Sequence, residues 1–121
     1  MSQTVMIVDD AKFIRTVLRT MLEELGYQII AEAGSGIEVQ RYLRSAAPDL
    51  IFLDIILPDA NGIDILDDIH HSLPDTSVII CSSISQTQTV QKALQHGAAA
   101  YLQKPFTQES ITAVLNQLKD R

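Results

Sequence analysis

The chain has 121 residues, 46% of them hydrophobic, and carries 9 Lys and Arg against 15 Asp and Glu, a formal charge of -6. That length allows one domain that buries roughly two thirds of its unfolded surface without disulfide staples, and the single cysteine, Cys81, has no partner in the chain, which points to a reducing, cytoplasmic setting. The acidic balance argues against nucleic acid or anionic lipid as partners of this chain alone, and no apolar stretch approaches the roughly 20 residues of a membrane span.

In chain order the hydrophobic pattern alternates between two periods. Thr4 to Val8 reads as a strand, and from Lys12 the apolar positions Phe13, Ile14, Val17, Leu18, Met21, Leu22 and Leu25 mark one face of a helix that Gly26 stops. Tyr27 to Ala33 is a second strand. Ser35 with Glu38 reads as a capping box for a helix that turns Val39, Tyr42, Leu43 and Ala46 inward and is closed by Pro48. Asp49 to Leu53 is almost wholly apolar, as a central strand covered on both faces should be. A turn from Pro58 to Gly62 leads to a third helix through Ile63, Leu66, Ile69 and Leu73, ended by Pro74. Val78 to Cys81 is a fourth strand; Ser85 and Gln88 open a helix with Val90, Ala93 and Leu94 inward, stopped by Gly97. Ala99 to Gln103 is a fifth strand, and Thr107 caps a last helix buried through Ile111, Val114, Leu115 and Leu118.

Strands alternating with helices over residues 1–121 predict one domain of the α/β class, a doubly wound parallel sheet with helices on both faces. Such sheets bind ligands beyond the carboxyl ends of their strands. Those ends carry Asp9 and Asp10 after the first strand, Asp54 after the third, Ser82 after the fourth and Lys104 after the fifth; the second, with Glu32 and Gly34, offers less. Carboxylates gathered at one edge repel one another unless a cation relieves them, and an oxygen-only ligand set suits Mg²⁺. A lysine and a hydroxyl on the other side complete a place for a transferring phosphoryl group. Asp54, at the end of the most buried strand, is the candidate nucleophile, and Asp9 and Asp10 are the candidate metal ligands.

Each residue also has a plainer reading. Adjacent acids after a strand serve as helix caps, an aspartate before Pro58 serves in a turn, and Lys104 can be a surface lysine. Register decides against these, because all three positions fall at strand ends of one sheet. Ser85 reads as an N-cap and Ser83 as a loop residue, which leaves Ser82 as the strand-end hydroxyl. His70, His71 and His96 lack metal-ligand spacing and read as surface residues.

The segments Val5 to Asp10 (VMIVDD), Leu53 to Pro58 (LDIILP) with Gly62 following, and Lys104 to Phe106 (KPF) resemble, in order and spacing, the receiver domain of two-component response regulators, most closely the stand-alone chemotaxis type. The resemblance spans essentially the whole chain and implies a five-stranded sheet of order 2-1-3-4-5, the flavodoxin-like arrangement. It implies that Asp9 and Asp10 bind Mg²⁺ with Asp54 and the backbone carbonyl of Ile56, and that Asp54 accepts phosphoryl. Lys104 would contact a phosphoryl oxygen, with Ser82 and Tyr101 as switch residues and a cis bond at Lys104–Pro105. It also implies a histidine kinase or histidine phosphotransfer domain as donor, contacting the first helix near Ile14, Arg15 and Leu18, and a downstream protein target on the fourth helix, fifth strand and fifth helix. Outward residues of that fourth helix are Gln86, Gln88, Gln91, Lys92 and Gln95.

The sequence departs from many receivers at Ile56 and Ile84, two residues beyond Asp54 and Ser82; neither side chain can position water by hydrogen bonding, which predicts slow self-dephosphorylation. Competing functions fit less well. A flavin carrier needs a hydroxyl- and glycine-rich phosphate loop where Asp9, Asp10, Ala11 and Lys12 stand, and a phosphohydrolase needs a second acid where Ile56 stands. The receiver portion of a longer regulator with a DNA-binding effector remains compatible with every motif.

Overall fold

Ten elements alternate along the chain in a computed structural model that describes residues 3–83 and 87–119: β1 (Thr4–Val8), α1 (Lys12–Glu24), β2 (Gln28–Ala33), α2 (Gly36–Leu43), β3 (Leu50–Asp54), α3 (Gly62–Ser72), β4 (Ser77–Ser82), α4 (Thr87–Gln95), β5 (Ala100–Gln103) and α5 (Gln108–Lys119). Every strand pairing is parallel. The sheet order is β2-β1-β3-β4-β5, the order implied by the motifs.

Two apolar layers explain why the strands read as continuous hydrophobic runs. Met6, Val8, Ile51, Leu53, Val78 and Ile80 point to one face, where Val39, Leu66, Ile69 and Ala93 cover them. Val5, Ile7, Phe52, Ile79 and Cys81 point to the other, under Leu18, Leu22, Ile111 and Leu115. Alternate residues thus serve opposite layers, and β3 is buried at all five positions. The winding reverses between β1 and β3, which opens a crevice at their carboxyl ends.

Local chemistry sets the helix starts. Ser35 accepts from the Glu38 N–H at 3.2 Å, but the Glu38 carboxylate accepts from Gly34 N–H rather than from Ser35, so only half of the expected box forms. Thr107 and Ser110 cap α5 reciprocally, each backbone N–H donating to the other's hydroxyl oxygen at 2.9 and 3.0 Å. Gly97, at φ +98, turns the chain after α4.

The structure corrects several expectations drawn from period alone. Phe13, read as part of the buried stripe of α1, is 76% exposed, and Leu25 is exposed as well. Both lie at the ends of the stripe, outside the two apolar layers. α4 is rolled so that Ala93, not Leu94, meets the sheet. α2 ends at Leu43, well before Pro48. The three histidines lie at the surface, as expected, and two of them also make contacts: His70 Nε2 lies 2.8 Å from the Gly97 carbonyl and His96 Nδ1 2.8 Å from Asp67 Oδ1, tying α3 to the turn after α4. Ile84, Ser85 and Gln86 lie outside the described residues. Among the described residues no helix is long and apolar enough to cross a membrane.

Candidate functional site

The end of β1 delivers two carboxylates, Asp9 and Asp10, the end of β3 delivers Asp54, and the end of β5 delivers the Lys104 ammonium, all to the same rim. Register places Val8 beside Leu53, so Asp9 and Asp10, one and two residues on, stand next to Asp54. Carboxylate oxygens of Asp9, Asp10 and Asp54 all lie within 4.8 Å of one another. Asp9 and Asp54 are buried, whereas Asp10 faces solvent. Lys104 reaches in from the end of β5 and bridges the two buried acids, its Nζ 2.6 Å from Asp9 Oδ2 and 3.0 Å from Asp54 Oδ2.

The remaining oxygens are held by backbone. Ala11 N–H donates to Asp9 Oδ1 at 2.9 Å, and Ile56 N–H donates to Asp54 Oδ1 at 3.0 Å. Ile56 itself is 60% exposed on the lip of the crevice. The loop carrying it closes tightly: Gly62 N–H donates to the Ile55 carbonyl at 2.7 Å, and a Cβ on Gly62 would fall 2.5 Å from Ile55 Cα. The far side of the loop is pinned by Asp59, whose carboxylate accepts from Gly36 and Ile37 N–H at 2.7 and 3.1 Å.

Ser82 is buried at the end of β4, and its carbonyl accepts from Lys104 N–H at 2.9 Å, which fixes the base of the lysine. Tyr101, half-buried on β5 beside Ile80 in register, packs against the layer under α3 and α4. The Lys104–Pro105 peptide is cis. The expected positions therefore converge at one sheet end, with Tyr101 set back along β5.

Electrostatics follow from burial. Desolvation pushes the Asp54 carboxyl above its usual range, partly opposed by the Ile56 N–H and by Lys104. Burial pulls the Lys104 ammonium down, but its hydrogen bonds to Asp9 and Asp54 outweigh this and leave it raised. Burial raises the Cys81 thiol far above its usual value, so it stays a protonated core residue. Three carboxylates faced by one ammonium retain an excess of negative charge, and the donors are all oxygen with no histidine or cysteine among them. That set fits a hard divalent ion such as Mg²⁺.

Two contributors were not legible as site residues. Glu32, set aside at the end of β2, binds Arg15 at 3.0 Å and also Arg19, and Arg15 in turn donates to the Asp9 carbonyl at 2.5 Å. Arg15 therefore points into the fold and Leu18 is buried, so of the three α1 residues expected to meet a partner, Leu18 offers no surface. Asp59 is the second; its place after Pro58 marks a turn but not its target across the fold, the Gly36 N–H.

The sequence profile of the response regulator receiver domain matches residues 5–116. A chemotaxis protein CheY from Thermotoga maritima is 34% identical over 98% of this chain and 98% of its own length. The DNA-binding transcriptional regulator NtrC of Azospirillum brasilense is 33% identical over 94% of this chain, which spans 24% of that protein. Among solved structures, a BeF3-activated DrrB receiver domain superposes with TM-score 0.87 at 28% identity, covering 100% of both chains.

Proposed function

The chain belongs to the response regulator receiver family, and from that membership we propose that it is a single phospho-accepting domain in which Asp54 takes a phosphoryl group and changes what the domain binds. The observation that carries this is the placement of Asp54: a buried carboxylate bridged to Asp9 by Lys104, beside a second acid, at the crevice where winding reverses.

A carboxylate oxygen of Asp54 attacks the phosphorus of a phosphohistidine on a histidine kinase or phosphotransfer domain, or of a small acyl phosphate. An O–P bond forms as the bond to the leaving group breaks, and the leaving imidazole takes up a proton. Asp9, Asp10 and Asp54, with the Ile56 carbonyl, would hold a magnesium ion, which supplies positive charge to the phosphoryl oxygens. Lys104, already within reach of Asp54, offsets charge from the other side. Ile56 N–H keeps the Asp54 carboxylate oriented. The domain thus promotes its own modification and turns over no external substrate.

Ser82 and Tyr101 act as switch residues, and the surface of α4, β5 and α5 takes the downstream protein. The donor docks near the amino end of α1, where Phe13 is exposed. The acidic charge argues for a protein-binding module rather than a nucleic-acid one, and the lone buried thiol of Cys81 suits a reducing, cytoplasmic setting. Similarity to NtrC over a fraction of that protein's length favours a second reading, the receiver of a longer regulator; the gene's full reading frame distinguishes the two. Intact mass after acetyl phosphate and Mg²⁺ tests the central chemistry: the wild type should gain one phosphoryl group and Asp54→Asn none. A phosphorylated Asp54→Asn would overturn it.

A further inference from the structure

We propose that Arg15 is a positioning residue for the acid loop: anchored by Glu32, its guanidinium fixes the Asp9 carbonyl and thereby the direction in which Asp9 and Asp10 present their carboxylates to a divalent cation. This rests on the reading of the Asp9, Asp10 and Asp54 cluster given above.

The geometry is a two-pronged fork. Arg15 Nε donates to Glu32 Oε1 at 3.0 Å while Nη1 donates to the Asp9 carbonyl at 2.5 Å. Glu32 is held in turn by Arg19 on the next turn of α1. The end of β2 leaves room for this, since a Cβ on Gly34 would lie 3.2 Å from Arg15 Nη1. Charge-assisted bonds from a planar fork are stronger and more directional than neutral ones. With Arg15 in place every polar group of Asp9 is engaged: its N–H by the Ala33 carbonyl, its carbonyl by Arg15, Oδ1 by Ala11 N–H and Oδ2 by Lys104. Arg15 is 17% exposed, so this is an inward arrangement rather than a solvated side chain.

The sign of the effect separates positioning from plain electrostatics. A guanidinium near a cation site repels the cation, so charge alone predicts tighter Mg²⁺ binding once Arg15 is removed. Positioning predicts weaker binding, and Lys, which keeps the charge but lacks the fork, should not rescue it. Titration calorimetry with MgCl₂ should show the dissociation constant rising roughly tenfold in both Arg15→Gln and Arg15→Lys, the scale expected for an outer-shell partner. Arg19→Gln, which loosens Glu32 without touching Asp9, should stay nearer the wild type at a similar loss of thermal midpoint. In the metal-free protein, hydrogen exchange of the Ala11 amide should quicken in the Arg15 variants. Should Arg15→Gln fail to fold, Glu32→Gln should still weaken Mg²⁺ binding. An unchanged or lower dissociation constant in Arg15→Lys and Glu32→Gln overturns the proposal alone, provided the wild type binds Mg²⁺ and is phosphorylated on Asp54. A wild type that binds no Mg²⁺ overturns both readings.

Discussion

The Lys104 ammonium lies 2.6 Å from Asp9 Oδ2, joining residues 95 positions apart in sequence. It lies farther, at 3.0 Å, from Asp54. The lysine is thus the internal counter-charge of the acid cluster, and its removal has two consequences. Lys104→Met should slow phosphoryl uptake from acetyl phosphate by roughly a hundredfold, the scale for losing one electrostatic contact to developing charge. Because its folded pKa is raised, the stability Lys104 supplies is present below its unfolded pKa and lost as pH rises through the folded value. The gap in thermal midpoint between wild type and Lys104→Met should therefore close at strongly alkaline pH. A gap that persists there would show that packing, not charge, is responsible.

Asp54→Asn should raise the thermal midpoint of the metal-free protein at neutral pH. Desolvation raises the Asp54 carboxyl, so its ionisation costs stability above the folded pKa, and the neutral amide avoids that cost. The advantage should shrink as pH falls and the wild-type acid becomes protonated. A lower midpoint for Asp54→Asn at neutral pH would contradict this sign.

Asp59 carries the opposite pH dependence. Its carboxyl is held below the usual range chiefly by the Gly36 N–H; desolvation opposes this, and the Ile37 N–H and its own backbone N–H add to the lowering. Its contribution is present above the unfolded pKa and lost as pH falls through the folded one. Asp59→Ala should lower the midpoint at neutral pH, with the difference vanishing in acid; thermal melts across the acidic range decide it.

Gly62→Ala should destabilise the chain by about 2 kcal/mol or more, because the new Cβ meets backbone at 2.5 to 2.8 Å and not a side chain that can yield. The loop holding Ile56 against Asp54 must open to accept it, so phosphorylation should slow as well. Urea unfolding of the two proteins measures the first effect; a loss within error of zero would mean the loop shifts freely.

Ile56→Gln should speed loss of the phosphoryl group, since the exposed lip then carries a side chain able to position water. Folding stability should change by no more than about 0.5 kcal/mol at so exposed a site. The decay of phosphorylated protein followed by mass tests it, and a fast wild-type rate unchanged by the substitution would remove the idea.

The sequence by itself determined the alternation of elements and the residues at the strand ends, because both are local. Period separates helix from strand, and a carboxylate that follows an apolar run must lie where the run stops. Asp9, Asp10, Asp54 and Lys104 were legible for that reason, and the fixed order of a doubly wound sheet brought them together. Only the tertiary structure decided how Arg15 is directed, what Asp59 reaches and which of Ala93 and Leu94 faces the sheet. A helical period fixes a face to within one residue but not the roll of the helix against its neighbours. Likewise, a side chain long enough to reach another element has several polar targets until packing selects one.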